Sequence, residues 1–111
     1  MRHGLSVAIG VALSVASGAH AADPRCGASV DRVQPRDGVV ATSKVAEAVA
    51  FSYLVPIYGE AVIRRELPLR VSLSDGVWTV NGTLPPGSVG GAARILLCQR
   101  NGTVLSIIHF K

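Results

Sequence analysis

Covalent chemistry needs a nucleophile beside a base, carboxylates paired across a cleft, or a set of metal ligands. Beyond residue 21 the sequence offers His109, the cysteines Cys26 and Cys98, and the carboxylates Asp23, Asp31, Asp37, Glu47, Glu60, Glu66 and Asp75. Asp75 belongs to an Asp-Gly turn, and Glu47 falls on the solvent side of a helical pattern. Glu60 and Glu66 flank one short helical stretch without a partner placed by the pattern; a carboxylate in a first helical turn, as at Glu60, ordinarily complements the helix dipole. The one constellation that the pattern assembles is His109 across a hairpin from Arg94. With no carboxylate placed beside it, the arginine disfavours the protonated imidazole, so the pair makes a poor general base. The Gly-Pro-rich run Gly82 to Gly91 is not followed by Lys-Ser/Thr and leads into a strand, which argues against a phosphate cradle. No metal set and no cofactor motif is present, and the expectation is a protein that is not an enzyme.

The cysteines carry the other chemistry. Met1-Arg2-His3, an apolar run from Leu5 to Ala16, and Ala19-His20-Ala21 read as a secretory signal peptide spanning residues 1–21. The alternative, a membrane anchor, needs about 20 apolar residues, more than the run supplies. Cys26 follows Asp23-Pro24-Arg25, which is not a lipidation context. In an exported chain two cysteines are most simply one disulfide. Closing a loop of that span stabilises by on the order of 4 kcal/mol in the chain-entropy model. A metal site or a reactive thiol is the competing reading, and it lacks clustered partners.

Removal of 21 of the 111 residues leaves 90, with 10 Lys and Arg against 7 Asp and Glu, a charge of +3. That is mild and scattered, and it does not indicate nucleic acid. Arg64-Arg65, the only adjacent basic pair, fits a solvated helix face. With 49% hydrophobic and 16% charged residues the chain is composed to fold as one small domain.

The elements that must position these residues follow from period and punctuation. Residues 22–41 have no regular period and read as an N-terminal arm; residues 42–111 read as the folded domain. Thr42 or Ser43 caps a helix in which Val45, Ala46, Ala48, Val49, Phe51 and Ser52 face inward and Lys44 and Glu47 outward. Pro56 loosens its last turn and Gly59 stops it. Glu60 to Glu66 forms a second short helix, ended by Pro68. The period then switches to two. A two-residue turn at Asp75-Gly76 pairs Ser74 with Val77 through Arg70 with Asn81, and places Leu69, Val71, Leu73, Trp78 and Val80 on one face, with Val77 the one apolar exception on the other. The same construction at Asn101-Gly102 pairs Gln99 with Val104 through Arg94 with His109. It leaves Ile95, Leu97, Ile108 and Phe110 on one face and Leu96, Cys98, Leu105 and Ile107 on the other. Strands apolar on both faces must be covered on both, and the arm, tethered by Cys26 to Cys98, is the available cover. Trp78 reads as core or as the wall of a pocket in which its N–H finds a ligand; Tyr53 and Tyr58 lie near the same space.

Val55-Pro56-Ile57-Tyr58-Gly59-Glu60, Ile63-Arg64-Arg65, Pro68, Leu73, the run from Gly76-Val77-Trp78 through Gly82-Thr83-Leu84-Pro85, Gly90-Gly91, Asn101-Gly102 and His109-Phe110-Lys111 together resemble the nuclear transport factor 2 fold immunity protein family. The resemblance covers about Val45 to Lys111. Two residues depart from it: Glu66 stands where many members have Gln, and Phe110 where Gly is common. The resemblance implies an α+β cone-like fold (nuclear transport factor 2/cystatin-like), with N-terminal helices on a curved antiparallel sheet of two hairpins. It also implies a bacterial immunity protein that binds and neutralises a cognate toxin.

The expectation is therefore a periplasmic or secreted binding protein without cofactor or metal. Its partner surface would be the open mouth between helices and sheet, with the Gly-Pro-rich loop, lined by Tyr58, Glu60, Arg64, Trp78, Arg94 and His109. A small-ligand carrier, or an inhibitor of an envelope-degrading enzyme, would use the same cavity. An enzyme of the cone fold stands further off, for want of a second histidine or paired carboxylates. Whether the chain is a monomer or a homodimer is left open by the sequence.

Overall fold

The computed structural model describes residues 23–27 and 35–111, with Gly4 and Gly10; the rest of residues 1–22, where the signal peptide is expected, and residues 28–34 lie outside the described residues. A 3-10 turn, Pro24–Cys26, is followed by α1 (Ser43–Tyr58), α2 (Glu60–Arg65), and four strands: β1 (Arg70–Ser74), β2 (Val77–Asn81), β3 (Ala93–Cys98) and β4 (Val104–His109). The strands form one antiparallel sheet in the order β1-β2-β3-β4, and the helices pack on one face of it, an α+β arrangement.

The Thr42 hydroxyl accepts from the Val45 N–H at 3.2 Å and starts α1. Gly59 ends α1, its φ of 92° being one that side chains avoid. Pro56 sits inside the last turn. The buried face of α1 is Ala46, Ala50 and Leu54, one residue per turn; the two alanines let the helix approach the sheet closely. Val45, Ala48 and Ser52, expected to face inward, are exposed instead. The core joins this stripe to Ile63 of α2 and to Leu69, Trp78, Val80, Ala93, Ile95 and Leu97 from the sheet. Full burial of each large aliphatic among them, such as Leu54, Ile63 and Ile95, contributes about 1.5–3 kcal/mol.

The first hairpin has the expected register, Arg70 opposite Asn81 through Ser74 opposite Val77. Asp75 and Gly76 both take positive φ, 51° and 75°, as a tight mirror-image turn requires. Val77, the apolar residue of the other face, is buried with Cys26 and Cys98 in a second, smaller cluster, against Leu96 and Leu105. Cys26 and Cys98 form the disulfide, so the arm covers the Val77 and Cys98 end of the face away from the helices. The arm also pairs with the sheet, through Val39 and Val40 N–H groups donating to the Arg100 and Gln99 carbonyls at 3.1 and 3.0 Å.

The second hairpin departs from expectation by one residue. His109 lies opposite Ala93, Ile108 opposite Arg94 and Ile107 opposite Ile95. Gly102 has a positive φ of 74° but Asn101 does not, so the two residues do not form the two-residue turn. A longer loop from Gln99 to Gly102 takes its place, closed by the Cys98 N–H to the Thr103 carbonyl and the Gly102 N–H to the Cys98 carbonyl, both 2.9 Å. The Asn101 side chain holds this loop, accepting from the Thr103 N–H at 3.0 Å and donating to the Cys26 carbonyl at 2.7 Å. A slip of one residue exchanges the faces of a strand. Accordingly Ile107, not Ile108, packs on the core, and Ile108 is exposed. An irregularity between Leu96 and Leu97 then returns Val104 to the core side and Leu105 to the disulfide side.

Candidate functional site

The beginnings of β1 and β3 and the ends of β2 and β4 converge at one end of the sheet, and the end of α2 closes over its helix side. There Glu66 is 5% exposed, the one buried charged residue among those described. Its Oε1 accepts from the Ala93 N–H at 2.6 Å, and its carbonyl accepts from the Thr83 N–H at 2.7 Å. Gly82 lets Glu66 come this close, since a Cβ at Gly82 would stand 2.8 Å from Oε1. The second carboxylate oxygen, Oε2, lies 3.2 Å from Nε2 of His109. The other ring nitrogen, Nδ1, lies 3.0 Å from the Phe110 carbonyl. The Tyr58 ring tilts against the imidazole with centroids 5.1 Å apart.

His109 is therefore paired with Glu66 and Tyr58 and not with Arg94, contrary to the sequence expectation; the shifted register of β4 is the cause. Both ring nitrogens face oxygen acceptors, and among the described residues neither has a hydroxyl or thiol as hydrogen-bond partner. The imidazole serves as a strut between β4 and the helix layer.

Arg94 projects to the opposite face of the sheet. Its Nε–H donates to the Asn81 Oδ1 at 2.9 Å, and its guanidinium lies 4.9 Å from the centre of the Phe110 ring. Phe110 reaches that position because the strand tip passes over Gly91, where any Cβ would run into the Phe110 Cβ. Glu60 and Arg64 form an ion pair at 2.6 Å on α2, with Arg64 also 5.6 Å from the centre of the Phe51 ring. Both side chains of that pair are more than half exposed, so it contributes under about 1 kcal/mol. Trp78 lies in the core at 6% exposure, and its indole N–H donates to the Val40 carbonyl at 2.7 Å.

The six residues expected to line one mouth are thus distributed. Tyr58 and His109 meet on the helix side of the sheet end, Arg94 stands on the other side, Glu60 and Arg64 face solvent along α2, and Trp78 is internal. Glu66, Asn81 and Phe110, which hold the site together, were not among the residues expected from the sequence to line it.

A separate open groove of about 790 Å³ runs between the outer side of α1 and the α2–β1 connection, lined by Lys44, Glu47, Phe51, Ser52 and Leu67 to Leu69, among others. Among the described residues no three or more His, Cys, Asp or Glu side chains gather as metal ligands, and both sulfurs are committed to the disulfide. No described helix is long and apolar enough to cross a membrane.

A family model described as NTF2 fold immunity protein matches residues 45–111. No curated protein and no solved structure matches the chain.

Proposed function

The chain belongs to the NTF2 fold immunity proteins, and from that premise we propose that it is an exported, non-enzymatic protein that binds and neutralises a cognate bacterial toxin in the periplasm. The observation that carries this reading is the sheet end itself. Arg94 is held by Asn81 and Phe110, and His109 by Glu66 and Tyr58, so rigid polar groups are presented where a loose catalytic set would otherwise be sought. Such pre-organisation lowers the ordering cost of association. The disulfide fits export, since such bonds persist in oxidising compartments. Residues 1–21 would direct that export and be removed after Ala21.

The test is co-production, in the periplasm of a susceptible host, with the toxin identified by capture from a periplasmic extract on the mature, oxidised protein. Protection of the host and a stoichiometric complex of the two mature proteins are expected. Unprotected cells, with both proteins present and no complex on gel filtration, would reject the reading.

The groove beside Phe51 and Leu67 to Leu69 favours a second reading, a small-ligand carrier, because its size and apolar wall suit a compact ligand. A rise in melting temperature with a small apolar compound, abolished by Phe51→Glu, would support it.

A further inference from the structure

We propose that the sheet face away from the helices, centred on Arg94 and flanked by Arg70, is the contact surface for a partner protein that presents carboxylate side chains to it. This inference rests on the immunity reading and names the chemistry of the partner.

Register places the residues. Arg70 is opposite Asn81, Asn81 opposite Arg94, and Arg94 opposite Ile108, so the four form one row across the sheet. Strands lie about 4.8 Å apart, which sets Arg70 and Arg94 roughly 10 Å from one another at the backbone, two strand spacings. The next row on the same face is Ser72, Thr79, Leu96 and Ser106. The four strands together contain Arg70 and Arg94 and not one acidic residue. The buried Glu66 lies on the helix side of the sheet end and does not neutralise this face.

Arg94 is prepared for recognition. One donor, Nε–H, is spent on Asn81, and the guanidinium rests over the Phe110 ring. The Nη groups keep the fork that matches a carboxylate in two parallel hydrogen bonds. Phe110 and Ile108, both about two-fifths exposed, add apolar area around the arginine, the combination of aromatic and arginine in which binding energy concentrates. The rival surfaces lack this bias. Lys44 and Glu47 put opposite charges in the groove, and Glu60 and Arg64 neutralise each other.

The experiment uses the mature, oxidised protein and the toxin captured on it from a periplasmic extract, with affinity measured at low and high salt. Arg70→Glu/Arg94→Glu is expected to weaken binding at least about 100-fold, and the wild-type affinity to fall as salt rises. Arg94→Lys, which keeps the charge and loses the fork, and Asn81→Ala, which frees it, are each expected to cost about 5–10-fold. Lys44→Glu makes the same charge inversion on the helix layer and is expected to stay within about 3-fold. Each variant is checked for an unchanged melting temperature. A toxin carboxylate changed to Lys that restores binding to the Arg94→Glu protein supports the assignment directly. Wild-type binding that is indifferent to Arg70→Glu/Arg94→Glu overturns this inference and leaves the immunity reading standing. A wild type that neither binds nor protects overturns both.

Discussion

Glu66 and His109 meet at 3.2 Å, Oε2 to Nε2, although 43 residues separate them in the chain. The contact ties the end of the helix layer to the last strand. The other oxygen of the same carboxylate holds the first N–H of β3 at 2.6 Å, so one buried side chain spans two strands that are themselves neighbours. Removing a buried partner costs more than the bond returned in forming it, because the group left behind is neither solvated nor paired.

Glu66→Ala is therefore expected to destabilise the protein by about 2–4 kcal/mol, since it leaves the buried Ala93 N–H without its acceptor. Glu66→Gln keeps an acceptor for Ala93 and is expected to cost about 1 kcal/mol. Urea unfolding followed by circular dichroism separates the two; equal losses would show that the bond to Ala93 is not what matters.

The Trp78 indole donates to the Val40 carbonyl in the core. Trp78→Phe keeps most of the packing and strands that carbonyl, at an expected cost of about 1–3 kcal/mol. As the sequence holds one tryptophan, the wild type should emit at the short wavelength of a buried indole and shift to the red on unfolding. Emission already red in the native state would contradict the burial.

Cys26 and Cys98 are 72 residues apart. Cys26→Ser/Cys98→Ser is expected to lose on the order of 4 kcal/mol on the chain-entropy account, and the unreduced wild type to show the mass of a protein without free thiols. A variant unfolding at the wild-type denaturant midpoint would show that the arm is held by its backbone pairing alone.

At the arm, side-chain and backbone hydrogen bonds from Arg25 hold the Asp23 carboxyl below its ordinary 3.8. A carboxyl lowered by folding contributes stability above its unfolded value, and that contribution is lost as pH falls through the folded value. The Asp23 side chain is 17% exposed, and the observable is its titration followed by NMR. It should lie low in the wild type and return to the ordinary range in Arg25→Ala; identical curves would break the assignment.

Gly91→Ala brings a Cβ into Phe110. The strand tip must move, at an expected cost of about 1–3 kcal/mol, and the ring should leave Arg94. A melting temperature and a Phe110 ring environment unchanged in NMR would argue that the tip has room to spare.

The two hairpins show how far the sequence could be read. At Asp75-Gly76 the turn signal and the alternation of Leu69, Val71, Leu73, Trp78 and Val80 are independent, and they agree on one register. At Asn101-Gly102 only the turn signal was available, because strands apolar on both faces provide no alternation to test it. The Asn101 side chain is engaged with Cys26 and Thr103, contacts set by the arm and invisible locally. The site inherited the error: a one-residue slip gave His109 the wrong neighbour, Arg94, and hid its pairing with Glu66. The helix boundaries, by contrast, were written in Thr42, Pro56 and Gly59. The match to the immunity proteins agrees with the resemblance carried by residues 45–111, while the tertiary contacts of Glu66 and Phe110 had no signal in spacing at all.

His109 and Phe110 are consecutive, yet the first touches Glu66 and the second touches Arg94, on opposite sides of the sheet. Successive residues of an extended chain face opposite sides, so a single peptide unit separates the two contacts, and a reporter nucleus on the His109 ring stands one residue from the Phe110 ring that meets Arg94.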